Sequence, residues 1–202
     1  MAHWIAHDWP RIKRLVYRWH AHLVFIDETG YLLHPLVLRT WAQRGRTPKL
    51  DVRMRSRRKL SAIGAISVSP MRRRFGRYVA LHRDKAISQE QTVDFLRQLR
   101  RHLSGSIVIV WDNLSVHRGC LVKEFLDDHR RTLRAECLPP YAPELNPVEY
   151  SWGYDKGVTL ANACPHDIDD LERQVNAAIA PTCRDQLLLR GFIKATGLPF
   201  RM

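Results

Sequence analysis

Unbroken apolar runs along the chain predict a set of short strands. Residues 22–27 (HLVFID) and 107–111 (IVIVW) are apolar at consecutive positions, which is typical of strands buried on both faces of a sheet. Three further strands are predicted at residues 60–68, 78–82 and 133–138. An acid stands at the end of each of the two most buried runs, Asp27 for the first and Asp112 for the second.

Apolar residues that recur every three or four positions predict helices in much of the remaining chain. The clearest helix spans residues 88–103, where Ser88 and Gln91 have the spacing of a capping box. Asn146 and Pro147 predict the start of another helix, because Asn is a strong N-cap and Pro is favoured at the first helical position. Further helices are predicted at residues 116–130, 167–180 and 183–195.

The order of these elements predicts the fold class. Three strands joined by hairpin-like turns precede strands that alternate with helices, which favours an α/β fold with a mixed sheet of about five strands flanked by helices. We expect one domain over residues 21–202, with an extended excursion and a weak hairpin at residues 31–58. Residues 1–20 hold a short amphipathic helix, either the end of a linker from an upstream domain or a cap packed on the core.

The charge balance adds a class of partner to this picture. A formal net charge of +13 and a pI near 10.2 indicate a polyanionic partner, with nucleic acid ahead of anionic membrane. The sequence has neither an apolar run of membrane-spanning length nor a secretory signal pattern, so we expect a soluble, intracellular protein. The four cysteines have no paired spacing, which predicts reduced thiols rather than a zinc site or disulfides.

Two dense basic clusters flank the predicted second strand. Either cluster alone would be explained by a solvated face, but two clusters at neighbouring strand ends in so basic a chain favour contact with phosphates. The candidate DNA-binding residues are Arg53, Arg55, Arg57, Arg58 and Lys59 in the first cluster and Arg72, Arg73, Arg74 and Arg77 in the second.

Three carboxylates are candidates for a shared site. Asp27 and Asp112 stand at the carboxyl ends of two central strands, where open α/β sheets bind their ligands. Glu149, in the first turn of the helix that begins after Asn146, can join them; alone, it would be a carboxylate favoured by the helix dipole. Converging carboxylates repel one another unless cations intervene, and an oxygen-only donor set suits Mg²⁺ or Mn²⁺, here two ions.

A nucleotide-binding strand is the rival interpretation of residues 23–28 (LVFIDE), since a Walker B strand also ends an apolar run in an acid. That motif is accompanied by a glycine-rich loop that ends in Gly-Lys-Ser or Gly-Lys-Thr. The sequence contains no such loop. We therefore favour the interpretation as part of a metal-binding carboxylate site.

Four segments carry a family resemblance. Residues 25–30 (FIDETG), 110–117 (VWDNLSVH) and 138–149 (LPPYAPELNPVE) resemble, in order, three signature blocks of the bacterial insertion-sequence transposases of the mariner-like superfamily. Residues 41–45 (WAQRG) resemble a further block, and the third signature block is highly specific. The resemblance covers most of the chain and implies an RNase H-like fold with a DDE catalytic triad.

The resemblance assigns roles to individual residues. It implies a triad of Asp27, Asp112 and Glu149 that cuts DNA and joins strands with Mg²⁺ or Mn²⁺. Glu149 stands 37 positions after Asp112, which is compatible with the spacing in the family. Both aspartates would be the primary metal ligands, and Glu149 would close the second metal position. Asn113, His117 and Asn146 are candidates for substrate or second-shell positioning, although each could simply cap or pack a helix. Glu28 is a weaker candidate ligand, because strand alternation turns it away from Asp27.

The resemblance also implies partners. DNA at transposon ends and target is the expected substrate, a homodimer could form through residues 31–58, and a separate helix-turn-helix domain could recognise the transposon ends, since nothing before Asp27 is long enough to hold one. We expect action at the nucleoid in a bacterial cytoplasm. Two alternatives stay open from the sequence: a catalytically silent DNA-binding remnant or regulator, and an RNase H-like nuclease without strand transfer.

Overall fold

A computed structural model describes residues 1–34, 36–47, 49–50, 58–71 and 73–199. Its strands are β1 (His22–Leu32), β2 (Lys59–Val68), β3 (Phe75–Arg83), β4 (Ile107–Trp111) and β5 (Leu133–Cys137). Its α-helices are α1 (Trp9–Arg18), α2 (Gln89–His102), α3 (Cys120–Asp128), α4 (Pro147–Tyr154), α5 (Ile168–Thr182) and α6 (Gln186–Ala195). Short 3₁₀ turns lie at Ser115–Arg118 and Pro143–Leu145, and π-helical turns at Trp4–Asp8 and Asp155–Thr159.

The strands form one mixed sheet in the order β3-β2-β1-β4-β5. β2 pairs antiparallel with both β1 and β3, whereas β4 pairs parallel with both β1 and β5. The parallel pairs need crossovers, which α2 and α3 provide. This arrangement confirms the predicted sheet of about five strands flanked by helices.

Strand β1 is longer than the sequence predicted. The apolar run was expected to end at Asp27 and turn at residues 28–30, but β1 continues to Leu32 because β2 pairs with it along its whole length. The parallel pairing with β4 stops at Phe25. Asp27 therefore lies inside a strand, just beyond the end of the parallel ladder, where the neighbouring position on the β4 side is open for side chains from other elements.

Helices cover both faces of the sheet. On one face, α1, α4, α5 and α6 pack against alternate β1 residues such as Phe25. On the other, α2 and α3 pack against the intervening residues such as Ile26. Because side chains alternate along a strand, Asp27 faces the α4 side and Glu28 faces the α2 and α3 side.

The N-terminal helix is part of the core. Trp9 and Ile12 are fully buried, and the Trp9 ring lies 6.2 Å from that of Phe25. This packing corresponds to the second of the two alternatives for residues 1–20, a cap on the core. Within the described part of the chain, no helix combines the length and apolar character needed to cross a bilayer.

One predicted helix and the predicted excursion differ in detail from the structure. The helix expected at residues 116–130 is a 3₁₀ turn followed by α3, since Gly119 takes an extended conformation between them. In the excursion, the described residues 36–47 form no strand, and Leu38 N–H donates to Asn162 Oδ1 at 2.8 Å. The rest of the expected hairpin, residues 51–57, lies outside the described residues.

Candidate active site

Asp27 is a buried carboxylate held by an indole. Its side chain faces α4, and Trp152 Nε1 donates a hydrogen bond of 3.0 Å to Asp27 Oδ2. Gly64, the register partner of Asp27 on β2, makes room for the ring: a Cβ at that position would lie 2.5 Å from Trp152 Cη2. Glycine is therefore required beneath Trp152, and the indole fixes the orientation of the carboxylate.

The charges of three other acids also act on Asp27. Its pKa is raised to about 8, first by burial and then by the carboxylates of Glu149, Glu28 and Asp112, while the bond from Trp152 opposes the rise. A buried carboxylate surrounded by like charges favours either a proton or a bound cation. Asp112 and Glu149 therefore lie close enough to Asp27 for their charges to act on it.

Asn146 links helix α4, which carries Glu149, to strand β1, which carries Asp27. Its Oδ1 accepts from Val148 N–H at 3.2 Å and caps α4, as predicted, and its Nδ2 donates to the Ile26 carbonyl at 3.1 Å. A single buried amide therefore anchors the start of α4 next to Asp27. Glu149 follows in the first turn of that helix; burial and the nearby Asp112 raise its pKa, and Lys156 lowers it.

Asp112 follows β4 directly and is more open to solvent. Its side chain is 40% exposed, and Oδ1 accepts from Leu114 N–H at 3.1 Å, which fixes one oxygen through a local turn. Asn113 is exposed beside it. One carboxylate oxygen of Asp112 is thus held by the chain, and the charge of the group acts on Asp27 and Glu149.

His117 lies between two carboxylates. Its Nδ1 is 3.1 Å from Asp112 Oδ1, its Nε2 is 2.9 Å from Glu28 Oε1, and its ring stacks on Trp111 with centroids 4.2 Å apart. Burial opposes protonation of His117, but the bonds to Asp112 and Glu28 outweigh it and raise the pKa to about 9. At neutral pH the ring is therefore a buried cation that donates to both acids.

Glu28 makes a contact with His117 that the sequence analysis did not predict. As expected from alternation, it points away from Asp27, but the 3₁₀ turn carries His117 to that face of the sheet and joins Glu28 to Asp112. The signal that could have found this contact is the placement of a histidine five residues after an acid at a strand end, which a tight turn brings back over the strand.

The comparisons with known proteins agree with this geometry. Residues 22–172, which include all three carboxylates, match the family model described as a DDE superfamily endonuclease. The chain belongs to the DDE superfamily endonucleases. A search of curated proteins gave no match.

The fold of this DDE endonuclease domain is that of mariner transposase catalytic domains. A Mos1 mariner paired-end complex with Mn superposes with a TM-score of 0.67 at 17% identity, over 96% of this chain and 57% of that one. The isolated catalytic domain of Mos1 mariner transposase gives 0.60 at 14% identity, over 98% and 92%. The chain thus spans little more than half of the Mos1 chain in that complex. The RNase H-like fold implied by the sequence is confirmed.

A lysine that the sequence analysis overlooked borders the carboxylates of the DDE domain. Lys156 follows α4, is half-buried, and donates from Nζ to Thr29 Oγ1 at 2.6 Å. Burial lowers its pKa, whereas the charges of Glu149 and Asp27 raise it. Its position two helical turns after Glu149, on the same side of the helix, was the available signal.

Arg77 corrects one predicted DNA contact. Strand β3 begins at Phe75, earlier than expected, so Arg77 lies within the strand opposite Ile66 and turns into the core. There its guanidinium binds both oxygens of Asp155, and Tyr31 Oη donates to Asp155 Oδ2 at 3.1 Å. With Arg77 and Asp155 both buried, the prediction that Arg77 binds DNA is wrong.

The other basic residues of the two clusters stand at the surface where the structure describes them. Lys59, Arg73 and Arg74 are exposed, and exposed Arg58 pairs with Asp84 at 2.8 Å. The remaining members lie outside the described residues: Arg53, Arg55, Arg57 and Arg72.

The donor set fits a hard divalent cation. Asp27, Asp112 and Glu149 offer carboxylate oxygens. Burial and then the charges of the neighbouring acids raise the pKa of Asp27, and a bound cation would offset both effects. Glu28, Asp112 and His117 also lie close enough to hold an ion. Their nitrogen–oxygen distances are those of hydrogen bonds that link His117 to both acids.

Proposed function

We propose that this chain is the catalytic domain of a DNA transposase that cuts strands at transposon ends and joins them to target DNA. The observation that carries the proposal is the convergence of carboxylates from β1, the end of β4 and the start of α4. Burial, together with the charges of the neighbouring acids, raises the pKa of Asp27 to about 8. This donor set suits Mg²⁺ or Mn²⁺, the ions named in the Mos1 complexes of the same fold.

The chemistry is a pair of phosphoryl transfers. In the first, water attacks the scissile phosphorus, the bond to the 3′ oxygen breaks, and the oxygen leaves as a 3′-hydroxyl. In the second, that hydroxyl attacks a phosphorus of the target and displaces its 3′ oxygen. Bound divalent cations would activate the attacking water or hydroxyl and stabilise the leaving oxygen.

The side chains of the site have distinct roles in this proposal. Asp27 and Asp112 are the primary ligands, and Glu149 closes the second metal position and helps to place the attacking water. His117 holds one oxygen of Asp112 and Asn146 fixes the start of α4, so both position ligands rather than bind substrate. Asn113, which is exposed, would contact the DNA.

The DNA partner is proposed on charge. The exposed cluster residues Arg58, Lys59, Arg73 and Arg74, together with Arg53, Arg55, Arg57 and Arg72, would bind the backbone, in a protein of net charge +13. Such a substrate implies action at the nucleoid of a bacterial cell. We also propose a separate helix-turn-helix domain that recognises transposon ends.

A homodimer on paired DNA ends is the proposed assembly. It is supported by the apolar surface of the excursion, where Trp41 is 100% exposed and Val37 is 66% exposed. A fully exposed indole favours burial against a second copy. A monomeric state on paired ends, measured by light scattering, would contradict this part of the proposal.

The test is Mn²⁺-dependent nicking of a supercoiled plasmid and of duplexes carrying candidate transposon ends. Wild-type protein is expected to nick with Mn²⁺ and not with EDTA, and Asp112→Asn is expected to lose at least a thousandfold. Asp128→Asn, at an exposed acid on α3, is the matched control and should cleave normally. If wild-type protein binds DNA but cleaves it with neither Mn²⁺ nor Mg²⁺, the chain is instead a catalytically silent DNA-binding remnant.

A further inference from the structure

A third basic surface lies away from the two clusters already described. Arg11, Arg14 and Arg18 stand on one side of α1 at helical spacing and face Arg134 on β5 across a depression of about 620 Å³. Leu15 and Trp19 form its floor. Four guanidinium groups therefore surround one hollow between a helix and the edge of the sheet.

A single carboxylate lies in this depression, and it is already paired. Glu136 accepts from Arg11 at 2.9 Å and 2.7 Å, and Arg134 Nε lies 4.0 Å from the same carboxylate. Arg14 and Arg18 are exposed, and within the described residues neither has an acidic partner. Asp8 also pairs with Arg11, at 3.4 Å, so four arginines face two acids and the depression keeps a net positive charge.

One end of this surface lies near the edge of the sheet at which Asp112 stands. β5 is an edge strand, and its register partner is β4, which leads into Asp112. Arg11 pairs with Glu136 near the carboxyl end of β5, and Trp4 Nε1 donates to the Cys137 carbonyl at 2.9 Å. The basic row thus begins beside the catalytic edge of the sheet and runs along α1 away from it.

We propose that the α1–β5 depression binds the sugar-phosphate backbone of the DNA duplex whose scissile strand lies at the triad. From Arg11 to Arg18 the row covers about 10 Å of helix axis, which matches the rise of about three base pairs. Arginine forks suit phosphate oxygens, and the depression holds no free acid to repel them. This inference rests on the proposed function, because it extends the substrate of the same site.

The experiment compares two double variants of the full chain. Arg14→Ala/Arg18→Ala removes two charges from the depression. Arg100→Ala/Arg101→Ala removes the same charge from exposed positions on α2, on the opposite face of the sheet. Binding of a fluorescent 30-base-pair duplex is measured by anisotropy between about 50 and 200 mM salt, the range in which phosphate contacts are most evident.

The α1 double variant is expected to bind about tenfold more weakly at 0.1 M salt. Its slope of log affinity against log salt should fall by about 1.8, since each lost phosphate contact removes about 0.9. The α2 double variant should keep a slope close to that of wild-type protein. Circular dichroism should show all three proteins equally folded, because the substituted side chains are at the surface.

Three results would overturn the inference. Equal losses in both double variants would show a diffuse charge effect, and no loss in the α1 variant would show that the depression does not touch DNA. Retention of an oligoglutamate peptide by wild-type protein but not by the α1 variant, with unchanged DNA binding, would assign the depression to an acidic protein. In each case metal-dependent nicking by wild-type protein would leave the proposed function standing, whereas a wild-type chain that neither binds nor nicks DNA overturns both.

Discussion

Trp152 Nε1 donates its hydrogen to Asp27 Oδ2 across 3.0 Å, although 125 positions separate the two residues. The contact links the helix that carries Glu149 to the strand that carries Asp27. The arrangement of the site thus depends on an indole that no simple motif of acids would include.

Trp152→Phe tests this link. Phenylalanine keeps most of the buried ring but removes the donor, so Asp27 loses its fixed orientation and an opposing influence on its raised pKa. We expect Mn²⁺ affinity, measured by calorimetric titration, to fall about tenfold, as for other residues that orient metal ligands. Trp41→Phe, at a fully exposed indole, is the control. Unchanged affinity in Trp152→Phe would show that the hydrogen bond does not support the ligand.

The Glu28–His117–Asp112 chain yields a second prediction. His117→Gln removes the cation that joins the two acids, and Glu28→Gln weakens its anchor. Both variants are expected to bind Mn²⁺ 10- to 100-fold more weakly and to nick DNA correspondingly slowly. Glu144→Gln, at an exposed position before α4, is the matched control. A His117→Gln protein with wild-type metal affinity and rate would limit that residue to packing on Trp111.

The raised pKa of Asp27 predicts a pH dependence of stability without metal. Between about pH 4, its ordinary pKa when unfolded, and pH 8, the folded protein holds a proton that the unfolded chain has lost. Its contribution to the free energy of unfolding therefore falls as pH rises, by at most about 1.4 kcal/mol per pH unit.

Asp27→Asn removes this penalty. In EDTA, we expect the variant to melt above wild-type protein at pH 8, with the difference shrinking toward pH 4. Asp128→Asn should follow the wild-type curve at every pH. Parallel melting curves for Asp27→Asn and wild-type protein across this range would contradict the raised pKa.

The buried pair of Arg77 and Asp155 predicts a stability effect. Arg77→Met leaves the Asp155 carboxylate buried with Tyr31 as its remaining donor, and we expect a loss of about 3–5 kcal/mol in the free energy of unfolding. The double variant Arg77→Met/Asp155→Leu should recover part of that loss, whereas Arg74→Met, at the surface, should change little. A single variant that loses less than about 1 kcal/mol in urea unfolding would show that water reaches the pair.

The sequence predicted the elements of the sheet better than the directions of its side chains. Apolar runs and caps placed β2, β4 and α2 closely, and the Asn146–Pro147 pair placed the start of α4. What local pattern could not supply was pairing: β1 extends past Asp27 because β2 lies beside it, and Arg77 turns inward because β3 starts early. Charge alone did not distinguish a phosphate contact from a buried ion pair.

Within the site, the sequence indicated the three acids as candidates but not the residues that contact them. The pattern marks Asp112 directly after β4 and Glu149 in the first turn of α4, and it marks Asp27 as the end of an apolar run within β1. Trp152 and Glu28 act through contacts between distant segments, and only the packing of α4 and of the turn at His117 brings those segments together.

The most direct measurement of the central claim is anomalous diffraction from crystals of the protein soaked in Mn²⁺, collected for wild-type protein and Asp112→Asn. The carboxylate site predicts manganese peaks in contact with Asp27, Asp112 and Glu149 in wild-type crystals, and their loss or marked weakening in the variant. Well-ordered carboxylates with no peak among them, or equal peaks in both crystals, would contradict a shared metal site.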